Sequence, residues 1–183
     1  MSTDSGSSES KQESGDTTGA PTALTDALIQ SLDRFADRVA VTVDDSEYTY
    51  GELDKRSNAV ANALVARGIE PGDRVALMMS NCLGYVIADL ALLKAGAVKL
   101  PLNDMLTEDE FEYMLSDSGT ETVIAGPQFA ETLASLDASV DSLHRGIVID
   151  GESDQFETLA DLESEGDSSE PPSVSISPES PVG

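Results

Sequence analysis

Positive charge is what this sequence has least of. Ten Lys and Arg stand against 35 Asp and Glu over 183 residues, a formal net charge of −25. Such a chain repels nucleic acid and anionic membrane surfaces, because both are polyanions. Histidine occurs once, as His144, so a multi-histidine metal site is excluded. Cysteine occurs once, as Cys82, so an intrachain disulfide is excluded as well. Long apolar runs are missing: none approaches the ~20 residues needed to span a bilayer. The opening "MSTDSGSSES" has neither the basic nor the apolar region of a secretory signal. The expectation is a cytoplasmic protein with no membrane span and no nucleic-acid partner.

The acid excess has two readings. High net charge opposes collapse and favours disorder. Alternatively the charge coats a folded body suited to high salt, where the Debye length falls to about 3 Å at 1 M and mutes self-repulsion. The middle of the chain carries apolar periodicity, so it is expected to fold, and a salt-accumulating (halophilic) source is favoured. Residues 1–20 read as a disordered acidic tail, and residues 164–183 as a low-complexity linker. The body lies between, over 21–163.

Within the body, helix patterns alternate with short apolar runs. Leu24, Leu28, Leu32 and Phe35 mark a first amphipathic helix, and "VAVTV" (39–43) a strand. Thr49 and Glu52 form a capping box, with Tyr48 and Leu53 as its staple, so a helix is expected over 50–67 with Gly68 closing it. "RVALMM" (74–79) reads as a buried strand. Asn81 is placed to cap the next helix, which Gly96 stops, and "AVKL" (97–100) is a strand ended by Pro101. Thr107 and Glu110 form a second capping box with Leu106 and Phe111 as staple, and Gly119 ends that helix. "TVIA" (122–125) and "GIVID" (146–150) are strands. Weaker helices are expected at 128–136 and 156–163. Strand and helix alternating through short connections means crossover units and a mainly parallel α/β sheet.

Candidate chemistry is sparse. "SGDTTGAP" (14–21) has the composition of a phosphate loop but lacks a preceding strand and a following lysine, so it reads as a chance match in a polar tail. His144 has no recognisable nucleophile partner and reads as a loop histidine. Cys82 sits at a helix start, where a thiol pKa can fall, yet an inert cysteine is the favoured reading. Lys99 interrupts an apolar strand and reads as a strand-end lysine that snorkels to water, with a ligand anion as the lesser alternative. Glu108 and Asp109 favour a helix N-terminus electrostatically and lack a basic partner for acid–base work.

Three phrases then resemble one family in series. "YTYGELDKRSNAVANALVARGIEPGDRVALMMSN" (48–81) resembles the start of the AMP-forming acyl-CoA synthetases, within the adenylate-forming enzymes. The matching positions are Thr49, Tyr50, Glu52, Leu53, Asn58, Ala59, Gly68, Gly72, Asp73, Val75 and Asn81. "LLKAGAVKLPLND" (92–104) and "LTEDEFEYMLSDSG" (106–119) are similar to the segments that follow. Pro101-Leu102-Asn103 resembles the acyl-CoA synthetase branch more than peptide-synthetase adenylation domains, while Lys99 departs from the family. The resemblance implies the first subdomain of a synthetase N-terminal domain. It implies an enzyme that activates a carboxylic acid with Mg-ATP to an acyl-adenylate and passes it to CoA. The family's Ser-Gly-Thr-Thr-Gly-x-Pro-Lys-Gly loop, Tyr-Gly-x-Thr-Glu and Thr-Gly-Asp segments and C-terminal lysine do not occur in this sequence. No catalytic, cofactor-binding or metal-ligating residue is therefore assigned. ATP, Mg and CoA are expected only in a full-length enzyme, whose remainder is the expected partner. "SISPESPVG" resembles the family's lead-in to the phosphate loop, so an inactive N-terminal fragment is expected. The alternative is a small α/β protein that binds or complements a partner without catalysis. An unrelated flavodoxin-like ligand-binding domain is a third reading.

Overall fold

The computed structural model describes residues 20–151 and 153–174. The expected tail over 1–20 and the candidate loop over 14–21 lie outside them, except for Ala20 and Pro21, which begin α1 (Ala20–Arg34). The final "ISPESPVG" stretch (176–183) also lies outside.

After α1 the chain forms β1 (Val39–Val43) and β2 (Ser46–Thr49). These pair antiparallel with each other and make a separate two-stranded sheet. The two residues between them, Asp44 and Asp45, both have positive φ, at 48° and 66°. That is the backbone of a tight hairpin turn whose twist matches the strands.

Thr49 starts α2 (Tyr50–Ala66) through the expected capping box: Oγ1 accepts from Glu52 N–H, and the Glu52 carboxylate accepts from Thr49 N–H at 2.8 Å. Gly68 follows the helix at φ +91°, the left-handed region that glycine enters at little cost. Then come β3 (Arg74–Met78), α3 (Leu83–Ala95), β4 (Val98–Pro101), α4 (Glu108–Ser118) and β5 (Thr122–Ala125). Thr107 and Glu110 cap α4 as expected. A 3-10 turn (Pro127–Phe129) leads into α5 (Ala130–Ser139), then β6 (Arg145–Val148).

The last elements differ from expectation. Glu157–Thr158 pair with β6 as a short β7, and the helix α6 starts only at Leu159 and runs to Glu165. Its cap is a third box, between Thr158 and Asp161, which an Asp in place of Glu had hidden from the pattern. Residue 164, where the sequence turns low in complexity, is inside α6.

The main sheet is parallel throughout, in the order β4-β3-β5-β6-β7. Alternate side chains of a strand face opposite sides, and each side has its own core. Val75, Leu77, Ile124 and Ile147 pack with Val60 and Leu64 of α2, Ile87 and Leu92 of α3, and Leu159 and Leu162 of α6. Ala76, Met78, Val123, Ala125 and Val148 pack with Phe111 and Leu115 of α4 and Leu133 and Leu136 of α5. The result is three layers, helices on both faces of a sheet.

Two contacts fix details of this packing. Lys94, in the last turn of α3, does not reach water as a helix-end lysine would. It turns into the α2–α3 interface with its side chain 1% exposed. There Nζ donates to Asp54 Oδ1 (2.7 Å), Asp54 O (3.1 Å), Ser57 Oγ (2.6 Å) and Asn58 Oδ1 (2.7 Å). Burial pulls the Lys94 pKa below the usual lysine range, and Asp54 opposes that shift. After α6 the backbone lies along α2. Asn62 Nδ2 donates to Asp167 O (2.9 Å) and Glu170 O (2.8 Å). A Cβ on Gly166 would stand 1.8 Å from Ala59 O, so only glycine fits there.

Candidate functional site

In doubly wound sheets, ligands bind outside the carboxyl ends of the strands, where the strand order reverses. Here the chain builds β3, steps outward to β4, then crosses back to β5 on the other side of β3. The reversal therefore lies between the carboxyl ends of β3 and β5. Ser80 and Gly126 follow those ends, and the loop after β4 supplies Asp104. Ser80 Oγ donates to Asp104 Oδ2 at 2.7 Å, and Gln128 Nε2 reaches Ser80 Oγ at 3.4 Å. A Cβ on Gly126 would meet Gln128 Oε1 at 2.6 Å, so glycine lets the Gln128 amide fold over the edge. Met105, in the loop after β4, is 83% exposed, and Tyr113 on α4 is 69% exposed.

A hollow of 380 Å³ opens farther along the same edge, between the start of α3, the end of β6, the β1–β2 turn and α6. Cys82 is at its wall. The structure makes Cys82, not Asn81, the cap of α3: Sγ accepts from Tyr85 N–H at 3.4 Å. The cap is one residue later than the pattern implies, and Asn81 is left exposed. Gly84 allows the helix start to approach Ile149, whose side chain would be 3.0 Å from a Cβ there. Arg56, the one cation among the described residues that line this hollow, is held by Glu163 through two hydrogen bonds of 2.8 and 2.9 Å.

The other sequence candidates are not brought together. Lys99 lies on the edge strand β4 and pairs with Asp89 of α3, so it is committed within the fold. His144 is exposed at the opposite, amino edge, before β6. Glu108 accepts from Ser135 Oγ, which ties α4 to α5, and Asp109 is exposed in the first turn of α4. Among the described residues no group of three or more His, Cys, Asp or Glu is placed to hold a metal. None of the described helices is long and apolar enough to cross a membrane.

The charged groups described at the carboxyl edge are already engaged. Asp104 puts a negative charge at the reversal point, and Arg56 is neutralised by Glu163. Polyphosphate recognition needs free N–H donors or cations.

Comparison with known proteins places this geometry. The sequence model of the AMP-binding enzymes matches residues 28–183. A long-chain-fatty-acid–CoA ligase of Escherichia coli is 37% identical over 115 residues, which is 62% of this chain and 20% of the relative. A feruloyl-CoA synthase of Amycolatopsis is 44% identical over 90 residues, 49% of this chain and 18% of the relative. Among solved structures, a putative long-chain-fatty-acid CoA ligase from Rhodopseudomonas palustris superposes with a TM-score of 0.74 at 28% identity, over 84% of this chain and 38% of that one. The fold also matches an anthranilate CoA ligase solved with anthranoyl-AMP, with a TM-score of 0.76 at 24% identity, over 83% of this chain and 30% of that one. The chain spans about a fifth of the length of the curated relatives it matches.

Proposed function

The chain belongs to the AMP-binding enzyme family and corresponds to the N-terminal portion of an AMP-forming acyl-CoA synthetase, and we propose that it is the scaffold subdomain of such an enzyme, inactive by itself. The full enzyme joins a carboxylic acid to ATP with Mg, releasing pyrophosphate and leaving an acyl-adenylate. The CoA thiol then attacks the acyl carbon, forming a thioester and releasing AMP. The observation that carries the reading is the extent of the match. The family model runs over 28–183, yet the chain spans about a fifth of ligases named for this chemistry.

The edge chemistry supports the same division of labour. Ser80, Asp104 and Gln128 satisfy one another at the reversal point, and the nearby arginine is paired. ATP, Mg and CoA are then held by residues beyond the segment bound on α2, which leads toward the family's phosphate loop. The test is carboxylate-dependent exchange of labelled pyrophosphate into ATP. The 183-residue chain is expected to give no exchange with any fatty or aromatic acid. The same chain joined to a continuation carrying the phosphate loop and C-terminal lysine is expected to give it. Exchange by the chain alone would overturn the proposal.

A further inference from the structure

We infer that the amino edge of the sheet, opposite the edge described above, carries a binding site for a phosphate group. A hollow of 360 Å³ lies there, before the starts of β3, β5 and β6. Arg67, Arg74, Arg145 and His144 line it, together with Asp73 and Glu121. Three of the six arginines of a −25 chain, and its only histidine, converge on this one hollow.

The charges already committed can be separated from those that are not. Arg67 is taken by Glu157 at 2.6 Å and Glu165 at 2.7 Å. The Asp73 carboxylate accepts from Glu70 N–H at 2.8 Å. What remains facing the hollow is Arg74, Arg145 and His144 against Glu121 and Asp73, whose one backbone hydrogen bond fixes the carboxylate without cancelling its charge. Neither Arg74 nor Arg145 is in an ion pair among the described residues, although acids outnumber bases by 35 to 10. Arg145 Nη2 donates to Arg67 O at 2.8 Å, which orients the guanidinium and leaves its other N–H groups available.

This arrangement selects the ligand class. Two guanidinium forks come from the first residues of β3 and β6, the strands on either side of β5, and both line the hollow. A tetrahedral phosphate offers three acceptor oxygens and up to two negative charges, which two forks can share. A carboxylate offers two oxygens and one charge. The site is at the far end of the sheet from the reversal point, so its occupancy does not compete with ligands bound at the carboxyl edge.

The test uses the single histidine as its reporter. Inorganic phosphate is titrated into the tag-free chain at fixed pH and ionic strength while the His144 imidazole signals are followed by NMR. A saturable shift with phosphate, absent with chloride at equal ionic strength, is expected. Arg74→Ser, at an exposed strand start, should weaken binding by about tenfold or more. Glu121→Gln removes one opposing charge and should tighten it, an effect that loss of folding cannot imitate. Arg34→Ser, on α1, should leave it unchanged. A linear shift, an equal response to chloride, or wild-type affinity in both Arg74→Ser and Glu121→Gln would overturn the inference.

Discussion

Lys94 Nζ and Asp54 Oδ1 lie 2.7 Å apart across the α2–α3 interface, with the lysine side chain 1% exposed and the aspartate side chain 26% exposed. Breaking a buried pair by removing one partner costs about 3–5 kcal/mol. Asp54 reaches water, so Lys94→Ala should fall near the lower end, about 3 kcal/mol in urea unfolding. Burial lowers the folded-state pKa of Lys94. Across the window between that value and the unfolded one, the unfolded chain holds more protons, so this group makes stability rise with pH. Lys94→Ala should flatten that alkaline slope. An unchanged slope would show that Lys94 is not the group responsible.

Acid should act on the helix starts. Glu52, Glu110 and Asp161 are each held below the usual carboxylate range, mainly by hydrogen bonds from Thr49, Thr107 and Thr158. A depressed carboxylate contributes stability above its unfolded pKa, and loses it as pH falls through the folded value. Thermal midpoints at constant ionic strength should therefore drop as pH falls below the ordinary carboxylate range. The triple variant Glu52→Gln, Glu110→Gln, Asp161→Asn should start lower and fall less over the same interval. Equal acid sensitivity in the two proteins would refute the assignment.

Gly166→Ala should release the segment laid along α2. The added Cβ would stand 1.8 Å from Ala59 O, a backbone atom that cannot swing away. Amide exchange over 167–170 should accelerate while the sheet core stays protected. Asn62→Ala, which removes the donors to Asp167 O and Glu170 O, should produce the same local pattern. Uniform acceleration across the chain would show instead that the segment supports the whole fold.

Asp45→Gly should stabilise the β1–β2 hairpin. Asp45 sits at φ 66°, a conformation that costs an L-residue roughly 1 kcal/mol. Glycine relieves that strain but loses more backbone freedom on folding, so a net gain of about 0.5 kcal/mol is expected. Chemical denaturation at neutral pH reads it, and a loss of stability would count against the turn geometry.

Much of the scaffold was legible because its signals are local. The boxes at Thr49/Glu52 and Thr107/Glu110, and the glycines at 68, 96 and 119, mark helix ends within a few residues of sequence. Relations between distant segments were not legible. Pairing of β1 with β2 outside the main sheet depends on the Asp44–Asp45 turn, and the strand order depends on crossover directions that no short pattern records. The burial of Lys94 was not legible either, because the acceptors that hold it stand 36 to 40 residues earlier. The sequence has no loop, dyad or ligand spacing at the carboxyl edge to find. The arginines of the amino edge are separated by 71 residues between Arg74 and Arg145, and they meet at one hollow only because the parallel sheet sets the starts of β3 and β6 at the same edge.

The contacts that hold residues 167–170 have a consequence for sequence change. Asn58 and Asn62 of α2 grip the carbonyl oxygens of Asp167, Ser168 and Glu170, groups that every amino acid carries. The path of the chain therefore rests largely on backbone acceptors, with one side chain taking part: Asp167 Oδ1 accepts from Ser169 N–H at 2.8 Å. Substitution at Ser168 or Glu170 can add or remove acidic charge, and so retune the surface of the protein, while Gly166 and the Asp167 acceptor must stay as they are.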